Sequence, residues 1–330
     1  MKSNHKLSYG GFLPIELNPG KEWFEEYKQN CRTFNTVKAG LHFLLREQEI
    51  RSISIPYYYC PTTIMAIRNT GIDVHFYHIQ PNLLPDPAVW CDDAAVLLVN
   101  YFGVLDNVIE ELVNDGMKKN VVVDNAHAFF ASPLFQDNIF TLYSAKKFFG
   151  VPDGAYLIGK RVTCSDEKAE YAADYVHYSI VAYEQGTNAA YREKKQVDEQ
   201  LAGRYSEMSV FTHGLMCNVD YERVRMHRQK NYEFLYHKLS DINQLPLTSS
   251  AVAYMFPLLC DKGAELKKWL IQRKVYVPTL WDGEDLRREA TPFEFRMKND
   301  GVFLPVDQRY DFNDMDYLVG LIKEFMRENT

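Results

Sequence analysis

The chain has 330 residues, 46% of them hydrophobic and 25% charged, with a formal net charge of -7 at pH 7. A chain of this length can bury a large core and is expected to divide into two domains, while its negative charge disfavours nucleic acid as a partner, because nucleic-acid-binding proteins normally carry a basic face. No run approaches the ~20 apolar residues of a membrane span, and the first residues lack the apolar centre of a signal peptide, so we expect a cytoplasmic protein without a membrane partner.

The first half of the chain alternates between strand and helix patterns. Short runs of β-branched and aromatic residues predict strands, and apolar residues at helical spacing predict helices. The predicted strands cover 52–56, 74–79, 95–100, 121–123 and 139–143, and the predicted helices cover 62–69 and 107–119. This alternation is typical of a doubly wound sheet covered on both faces, so we predict a large α/β domain over residues 1–215.

The second half has a different character. Residues 165–200 form long, polar, tyrosine-bearing segments of helical pattern, and 221–239 predicts another long helix. We interpret the basic residues of that helix as a solvated face: Arg223, Arg225, His227, Arg228 and Lys230. An apolar run at 252–259, a helix at 264–273, a short strand at 275–277 and a closing helix at 314–325 come next. We therefore predict a linking helix and a small C-terminal α+β domain over 216–330.

The six cysteines are scattered, with no Cys-x-x-Cys pair and no paired histidines at ligand spacing: Cys31, Cys60, Cys91, Cys164, Cys217 and Cys260. This arrangement indicates neither a zinc site nor a disulfide framework. We expect reduced thiols and no metal.

The most informative part of the chain sets a carboxylate and a lysine after two successive apolar runs. Val121 to Val123 read as a buried strand that ends in Asp124, and the run from Ile139 to Tyr143 ends in Ser144-Ala145-Lys146-Lys147. In open α/β sheets, ligands bind beyond the carboxyl ends of the strands. Asp124 and the turn that carries Lys147 are therefore expected to face the same crevice.

An acid and an amine in one crevice are the groups that a pyridoxal 5'-phosphate site needs. An Asp beside the ring nitrogen keeps that nitrogen protonated, so that the ring can accept electrons from a substrate carbanion; Asp124 fits this role. A lysine must bind the cofactor aldehyde, yield to an incoming amine and then move protons, which favours a pKa lowered toward neutrality. Lys147 fits this role and is the predicted catalytic residue.

This region resembles fold-type I pyridoxal phosphate enzymes and, more narrowly, the DegT family of sugar aminotransferases. In that family an Asp-x-Ala-(His or Gln) segment follows one strand, and a Ser-x-x-Lys segment with a later Pro-Asp-Gly follows the next. The corresponding segments here are Asp124-Asn125-Ala126-His127, Ser144-Ala145-Lys146-Lys147 and Pro152-Asp153-Gly154. The resemblance implies a large, mostly parallel sheet of the seven-stranded type together with a small C-terminal domain.

The resemblance also implies further cofactor-binding residues. The segment from Phe34 to Leu41 is similar to the family's phosphate-binding segment, where a helix N-terminus and a small or basic residue, here Lys38 and Ala39, hold the phosphate. Ser144 would reach the same phosphate, and His127 would contact the phenolic oxygen. Tyr59 is the predicted aromatic that stacks on the ring, although the family position can also be aligned with Cys60.

The implied function is an aminotransferase that moves an amino group, with glutamate as the implied donor, to a keto sugar nucleotide in amino sugar or surface polysaccharide biosynthesis. Two alternatives stay open. One is a sugar dehydratase of the same fold that uses pyridoxamine phosphate, although that branch replaces the lysine with histidine. The other is a noncatalytic module that keeps the fold for binding. A homodimer is expected in the family, and the long stretch from Tyr171 to Tyr205 is consistent with an interface.

Each of these residues also allows a plainer interpretation. Lys146, half of a Lys-Lys pair, is interpreted as a solvated surface residue. Asp124 could be a turn former that bonds its own backbone, and His127 could be a core histidine with satisfied hydrogen bonds. Residues 57–59 could pack in the core or at an interface, because aromatic side chains bury large areas wherever they fall.

Overall fold

The large part of the molecule is built around one sheet of seven strands. The computed structural model describes residues 11–90, 93–114, 119–163 and 169–329. The strands are β1 (Cys31–Phe34), β2 (Ser52–Pro56), β3 (Asp73–Tyr77), β4 (Ala95–Val99), β5 (Val121–Asn125), β6 (Ile139–Ser144) and β7 (Ala155–Ile158). Their order across the sheet is β1-β7-β6-β5-β4-β2-β3.

The sheet is mostly parallel, as predicted. The pairs β2/β3, β2/β4, β4/β5 and β5/β6 are parallel, whereas β7 runs antiparallel to both β6 and β1. Every residue of β4, β5 and β6 is buried. Since alternate side chains of a strand point to opposite faces, complete burial means that both faces of the central sheet are covered.

Six α-helices accompany this sheet in the described residues, and the second and third correspond to the helices predicted at 62–69 and 107–119. They are α1 (Val37–Glu47), α2 (Pro61–Arg68), α3 (Asp106–Asn114), α4 (His177–Gln185), α5 (Tyr191–Leu201) and α6 (Val210–Met216). Residues 115–118 of the helix predicted at 107–119 lie outside the described part of the chain, and so do residues 165–168 of the predicted polar segment. Gly186, with a φ of 89°, ends α4 and separates it from α5.

The C-terminal part is a smaller α+β unit. Its elements are α7 (Tyr221–Leu239), β8 (Met255–Leu259), α8 (Gly263–Gln272), α9 (Glu284–Glu289), α10 (Pro292–Asp300), β9 (Gly301–Pro305) and α11 (Phe312–Glu328). The strands β8 and β9 form an antiparallel pair. The predicted strand at 275–277 does not form: Lys274 adopts a left-handed φ of 62°, and Pro278 follows without an amide donor.

The two parts share a continuous apolar core. One buried cluster runs from the large sheet into β8, β9 and α11. At the junction the ring of Phe102, which follows β4, stacks on the ring of Phe303 in β9 with a centroid distance of 4.8 Å. This contact places residues of the C-terminal part beside the carboxyl ends of the central strands. The predicted domain boundary at 215/216 stays a prediction. None of the described helices is long and apolar enough to cross a membrane.

The segment that precedes β1 is attached to the sheet through a partly buried glutamate. Glu22 accepts a hydrogen bond from the Tyr156 hydroxyl of β7 and pairs with His213 Nδ1 of α6, each at 2.5 Å. Burial lowers the pKa of His213, but Glu22, with Asp153 and Glu207 farther away, outweighs burial and leaves that pKa raised. The native state therefore favours the charged imidazolium.

This raised pKa predicts a stability that depends on pH. The contribution of the His213 pair should be fully present below the unfolded-state pKa of about 6.5 and lost as pH rises through the higher folded-state pKa. The His213 side chain is 37% exposed, so solvent screening limits the effect to about 1 kcal/mol or less. We expect His213→Gln to lower the melting temperature at pH 6 and to have little effect at pH 9. An equal loss at both pH values would contradict the charged pair.

Candidate functional site

Asp124 lies near the carboxyl end of β5, where the sequence places it, and only 5% of it is exposed. Its Oδ1 accepts a hydrogen bond from the Ala126 amide at 2.8 Å, and its Oδ2 accepts one from the Tyr59 hydroxyl. Burial raises the pKa of Asp124, while these two donors and the charge of Lys147 act in the opposite direction. The bond to Ala126 is the local turn bond of the plainer interpretation, and the second oxygen is bound by Tyr59, a predicted residue of the site.

Lys147 ends a short helical turn that begins directly after β6. The turn is held by the Ala145 amide, which donates to the Gly154 carbonyl at 3.0 Å, and by the amides of Phe148 and Phe149, which donate back to the Ala145 carbonyl. The Lys147 side chain is exposed. It comes after Ser144, which is buried.

The pKa of Lys147 is raised, whereas we expected a lowered value. The main cause is the nearby Tyr254, whose side chain favours the charged amine and whose ring centroid lies 5.2 Å from Lys147 Nζ. Desolvation acts in the opposite direction, and Cys60 and Asp198 add smaller effects in the same direction as Tyr254. The amine therefore rests as an ammonium. Tyr254 is 107 positions away in the sequence, so no local pattern could reveal this interaction.

Lys146 is not the solvated residue that its position in a Lys-Lys pair predicts. Its side chain is 17% exposed, and its amine lies 2.9 Å from Asp198 Oδ1 of α5. The same carboxylate binds Lys194 through its other oxygen at 2.6 Å. Although burial raises the pKa of Asp198, these two lysines hold it below its usual range. The two adjacent lysines therefore differ in environment, because Lys146 is paired and Lys147 is directed to the site.

The predicted phosphate-binding segment forms the N-terminus of α1. Thr36 caps this helix by accepting a hydrogen bond from the Ala39 amide at 3.2 Å. Lys38 is partly buried, and its pKa is lowered, first by burial and further by the charges of Lys146 and Lys147. A helix N-terminus beside several lysines is a favourable place for an anion.

Backbone hydrogen bonds connect this segment to the turn that carries Lys147. The carbonyl of Asn35 accepts from the Gly154 amide at 3.0 Å, and the Gly154 carbonyl accepts from Ala145. Gly154 has a φ of 122°, and a Cβ there would lie 3.1 Å from the Cβ of Ala145. Glycine is therefore required at the point where the two segments meet.

Asp153, the residue before Gly154, stabilises the structure around the site. It is fully buried and accepts hydrogen bonds from the amide and the hydroxyl of Ser209, both at 2.8 Å, and from the Thr212 hydroxyl. Burial raises the pKa of Asp153, while these donors favour its charged form. The Pro-Asp-Gly segment thus anchors the beginning of α6 below the turn of Lys147.

His127 is buried between two aromatic rings of the C-terminal part. Its ring lies 4.6 Å from the ring of Tyr254 and 5.4 Å from that of Trp281, with an interplanar angle of 13° to the latter. Burial, and then the charge of Lys147, hold the pKa of His127 well below its usual range. Its Nδ1 has no hydrogen-bond partner in the described chain. His127 is therefore not a satisfied core histidine, and its free nitrogen can bind a ligand.

A glycine shapes the turn that packs on His127. Gly103 has a φ of 77°, and a Cβ at this position would collide with the backbone carbonyl of His127. The turn after β4 therefore approaches the site closely only with glycine at this position.

Tyr59 lies in the site, but the contact that the structure shows is a hydrogen bond, whereas the sequence predicted stacking on the cofactor ring. Its hydroxyl donates to Asp124, the carboxylate that we assigned to the ring nitrogen. Tyr58, beside it, is fully buried, whereas Tyr57 is only partly buried. Cys60 caps α2 and interacts electrostatically with Lys38 and Lys147. Both candidates for the stacking position thus border the site, and the assignment stays a prediction.

Sequence reasoning missed the residues that the C-terminal part contributes. Tyr254 and Trp281 pack on His127, and Arg228 binds the backbone carbonyl of Tyr254. Arg228 is buried, and burial lowers its pKa to about 10. It donates to the carbonyls of Ala253 and Tyr254 at 3.1 and 3.3 Å and to Gln308 Oε1 at 3.1 Å. The interpretation of its helix face as solvated is wrong for Arg228, and nothing in its local sequence distinguishes it from the basic residues nearby.

Comparison with known proteins gives the fold. No family model matches the chain, and no curated protein matches its sequence. The sugar aminotransferase CalS13 from Micromonospora echinospora superimposes with a TM-score of 0.62 at 14% identity, over 91% of this chain and 89% of that one. The aminotransferase TlmJ from Streptoalloteichus hindustanus gives 0.65 at 17% identity, over 93% and 89%.

A DegT DnrJ EryC1 StrS aminotransferase from Brucella abortus gives a TM-score of 0.61 at 12% identity, over 89% of this chain and 85% of that one. These likenesses extend over nearly the whole of each chain, and they confirm the predicted fold-type I architecture.

Proposed function

We propose that this protein is a pyridoxal phosphate-dependent aminotransferase of the DegT family that acts on a keto sugar. The observation that carries the proposal is the convergence of a buried carboxylate, a lysine and a histidine with an unpartnered nitrogen, namely Asp124, Lys147 and His127. They meet at the carboxyl ends of the central strands, where α/β folds bind ligands. The fold shared with sugar aminotransferases supports the same conclusion.

The residues of the site fit the cofactor group by group. Lys38, the N-terminus of α1 and the Ser144 hydroxyl would hold the phosphate. The Asp124 carboxylate would bind the ring nitrogen, and the unpartnered Nδ1 of His127 would bind the phenolic oxygen. Lys147 would bind the aldehyde. When bound, pyridoxal phosphate supplies an electron sink for a substrate carbanion.

The side chains of the site have different roles in binding the cofactor and in moving protons. Burial raises the pKa of Asp124, and the hydrogen bonds from Tyr59 and the Ala126 amide favour its charged form against that effect. His127 stays neutral, because burial and the neighbouring ammonium disfavour its charged form. The Lys147 amine carries a proton on Nζ that it can donate. After losing it, the neutral amine can accept a proton at the same atom. Lys147 is therefore the residue that can move protons next to the reacting carbon. The aromatic rings on His127 exclude water from this side of the site.

We further infer that the substrate is a nucleotide-linked keto sugar, that the amino donor is glutamate, and that the product serves amino sugar or surface polysaccharide biosynthesis. The resemblance of the site segments to the DegT family supports these details. Lys147 argues against the related dehydratases, in which the lysine is replaced by histidine. The unpartnered nitrogen of His127 argues against a noncatalytic module, because a buried polar atom without a partner is costly unless a ligand uses it.

Two measurements test the function. Purified protein mixed with pyridoxal phosphate should acquire a visible absorbance band that borohydride abolishes, whereas a noncatalytic module would show none. A panel of keto sugar nucleotides should then be incubated with glutamate, with glutamine as a second donor, and scored for amino sugar product and for 2-oxo acid. Cofactor binding without product from any sugar would contradict the sugar assignment.

We expect the working unit to be a homodimer. The region of α4 and α5 exposes large apolar and aromatic side chains, including Tyr183 at 93%, Tyr191 at 70% and Tyr171 at 69%. A face of this kind is usually covered by a partner, and isologous dimers are the commonest oligomers. Analytical ultracentrifugation over a dilution series should show a dimer, and Tyr183→Glu should weaken it. A monomer with full activity at high dilution would contradict this prediction.

A further inference from the structure

Tyr254 lies directly before β8, in the C-terminal part, yet it contacts two residues of the site. The Nζ of Lys147 is 5.2 Å from the centroid of its ring. On the same ring, the imidazole of His127 packs with a centroid distance of 4.6 Å and an interplanar angle of 31°. One tyrosine thus touches both the amine and the imidazole to which we assign the cofactor.

The position of Tyr254 is fixed on several sides. Its amide donates to the carbonyl of Phe102 at 2.8 Å, and its carbonyl accepts from the buried Arg228 at 3.3 Å. Arg228 also lies over the ring of Phe148, the residue after Lys147, at 4.3 Å from the ring centroid. Gln308 donates to the Phe148 carbonyl at 2.8 Å. The backbone of Tyr254 and the turn of Lys147 are therefore held by one shared set of contacts.

We propose that Tyr254 is a positioning residue for Lys147: its phenol oxygen holds the lysine amine, while its ring packs on His127 and keeps the imidazole in place. The importance of this positioning for catalysis rests on the proposed function. The contact between Tyr254 and Lys147 does not depend on that function, because both residues belong to this chain and no cofactor is involved.

The other charged groups near Lys147 do not take over this role. Cys60, before α2, and Asp198, on α5, favour the charged amine more weakly than Tyr254 does. Asp198 is also paired with Lys146 and Lys194. Asp124 faces the amine from β5, His127 is held neutral, and Lys38 on α1 carries a like charge. Tyr254 has the largest influence on the charge of the amine, and its ring is the aromatic group that lies against Lys147 Nζ, at 5.2 Å from the ring centroid.

The test compares wild type with Tyr254→Phe in cofactor-free, full-length protein. Tyr254→Phe keeps a ring on His127 but removes the oxygen beside Lys147. Each protein is treated briefly with acetic anhydride across a pH series, and acetylation of Lys147 is quantified by peptide mass spectrometry. We expect the Lys147 curve of the variant to shift to lower pH, with labelling near pH 8 several-fold faster than in wild type. Lys146, measured in the same peptides, should keep its wild-type curve.

Two outcomes would overturn the proposal: an unchanged Lys147 curve in Tyr254→Phe, or an equal shift of Lys146, which would indicate a general loosening of the turn. Tyr254→Leu, which removes ring and oxygen together, should give the same shift and should also weaken the packing of His127. Because this labelling requires no cofactor, its result stands apart from the proposed function. Failure of the protein to bind pyridoxal phosphate would contradict the function and leave the Lys147 result intact.

Discussion

Replacing Lys147 with alanine should abolish the visible absorbance of the cofactor-loaded protein and reduce transaminase activity by on the order of 10⁴-fold or more, because both the covalent link and the proton-transfer group are lost. The prediction follows from the position of Lys147 at the end of the turn after β6, near Asp124, His127 and Tyr254. Absorbance spectra before and after borohydride, with intact-protein mass spectrometry, would measure the loss of the link.

Lys146→Ala is the matched control. The two lysines are adjacent, but Lys146 is paired with Asp198 at 2.9 Å and does not face the site. Its replacement should keep the visible band and the borohydride-sensitive link, at the cost of one ion pair. Retention of the band in Lys147→Ala and its loss in Lys146→Ala would show that the assignment is reversed.

Asp124→Asn should keep the fold and reduce turnover by about 10²- to 10⁴-fold, the range expected when a group that controls protonation is lost. The amide keeps the shape of the side chain but removes the charge that favours a protonated ring nitrogen, and each pKa unit lost there is worth about 1.36 kcal/mol. Steady-state turnover would be measured alongside the thermal melting temperature, so that lost chemistry can be separated from lost stability.

Tyr59→Phe is the control for the environment of Asp124. It removes the hydroxyl that donates to Asp124 Oδ2 and leaves the charge of the carboxylate in place. We therefore expect a smaller loss of turnover than in Asp124→Asn. If Asp124→Asn turns over normally, the role of Asp124 is limited to the turn that its hydrogen bond from the Ala126 amide stabilises. The cofactor nitrogen would then bind elsewhere.

The positions of Asp124 and Lys147 could be predicted because they follow from local patterns. The buried runs that become β5 and β6 are short and strongly apolar, and parallel neighbours bring their carboxyl ends to one edge. The bounds of β2 and α7 are as predicted, since strand length and helical spacing are read from adjacent residues. The strand predicted at 275–277 does not form, because Lys274 adopts a left-handed φ and Pro278 offers no amide donor for pairing.

Contacts between segments that are distant in the sequence were determined only by the tertiary structure. Lys146 pairs with Asp198, which lies 52 positions away, and Tyr254 reaches Lys147 and His127 from the C-terminal part. These contacts determine that one lysine is paired and that the pKa of the other is raised. The sequence by itself determined which residue types stand at the strand ends. The charge state of the amine depends on groups that folding brings within a few ångströms of it, and their distance along the chain leaves no periodic pattern to read.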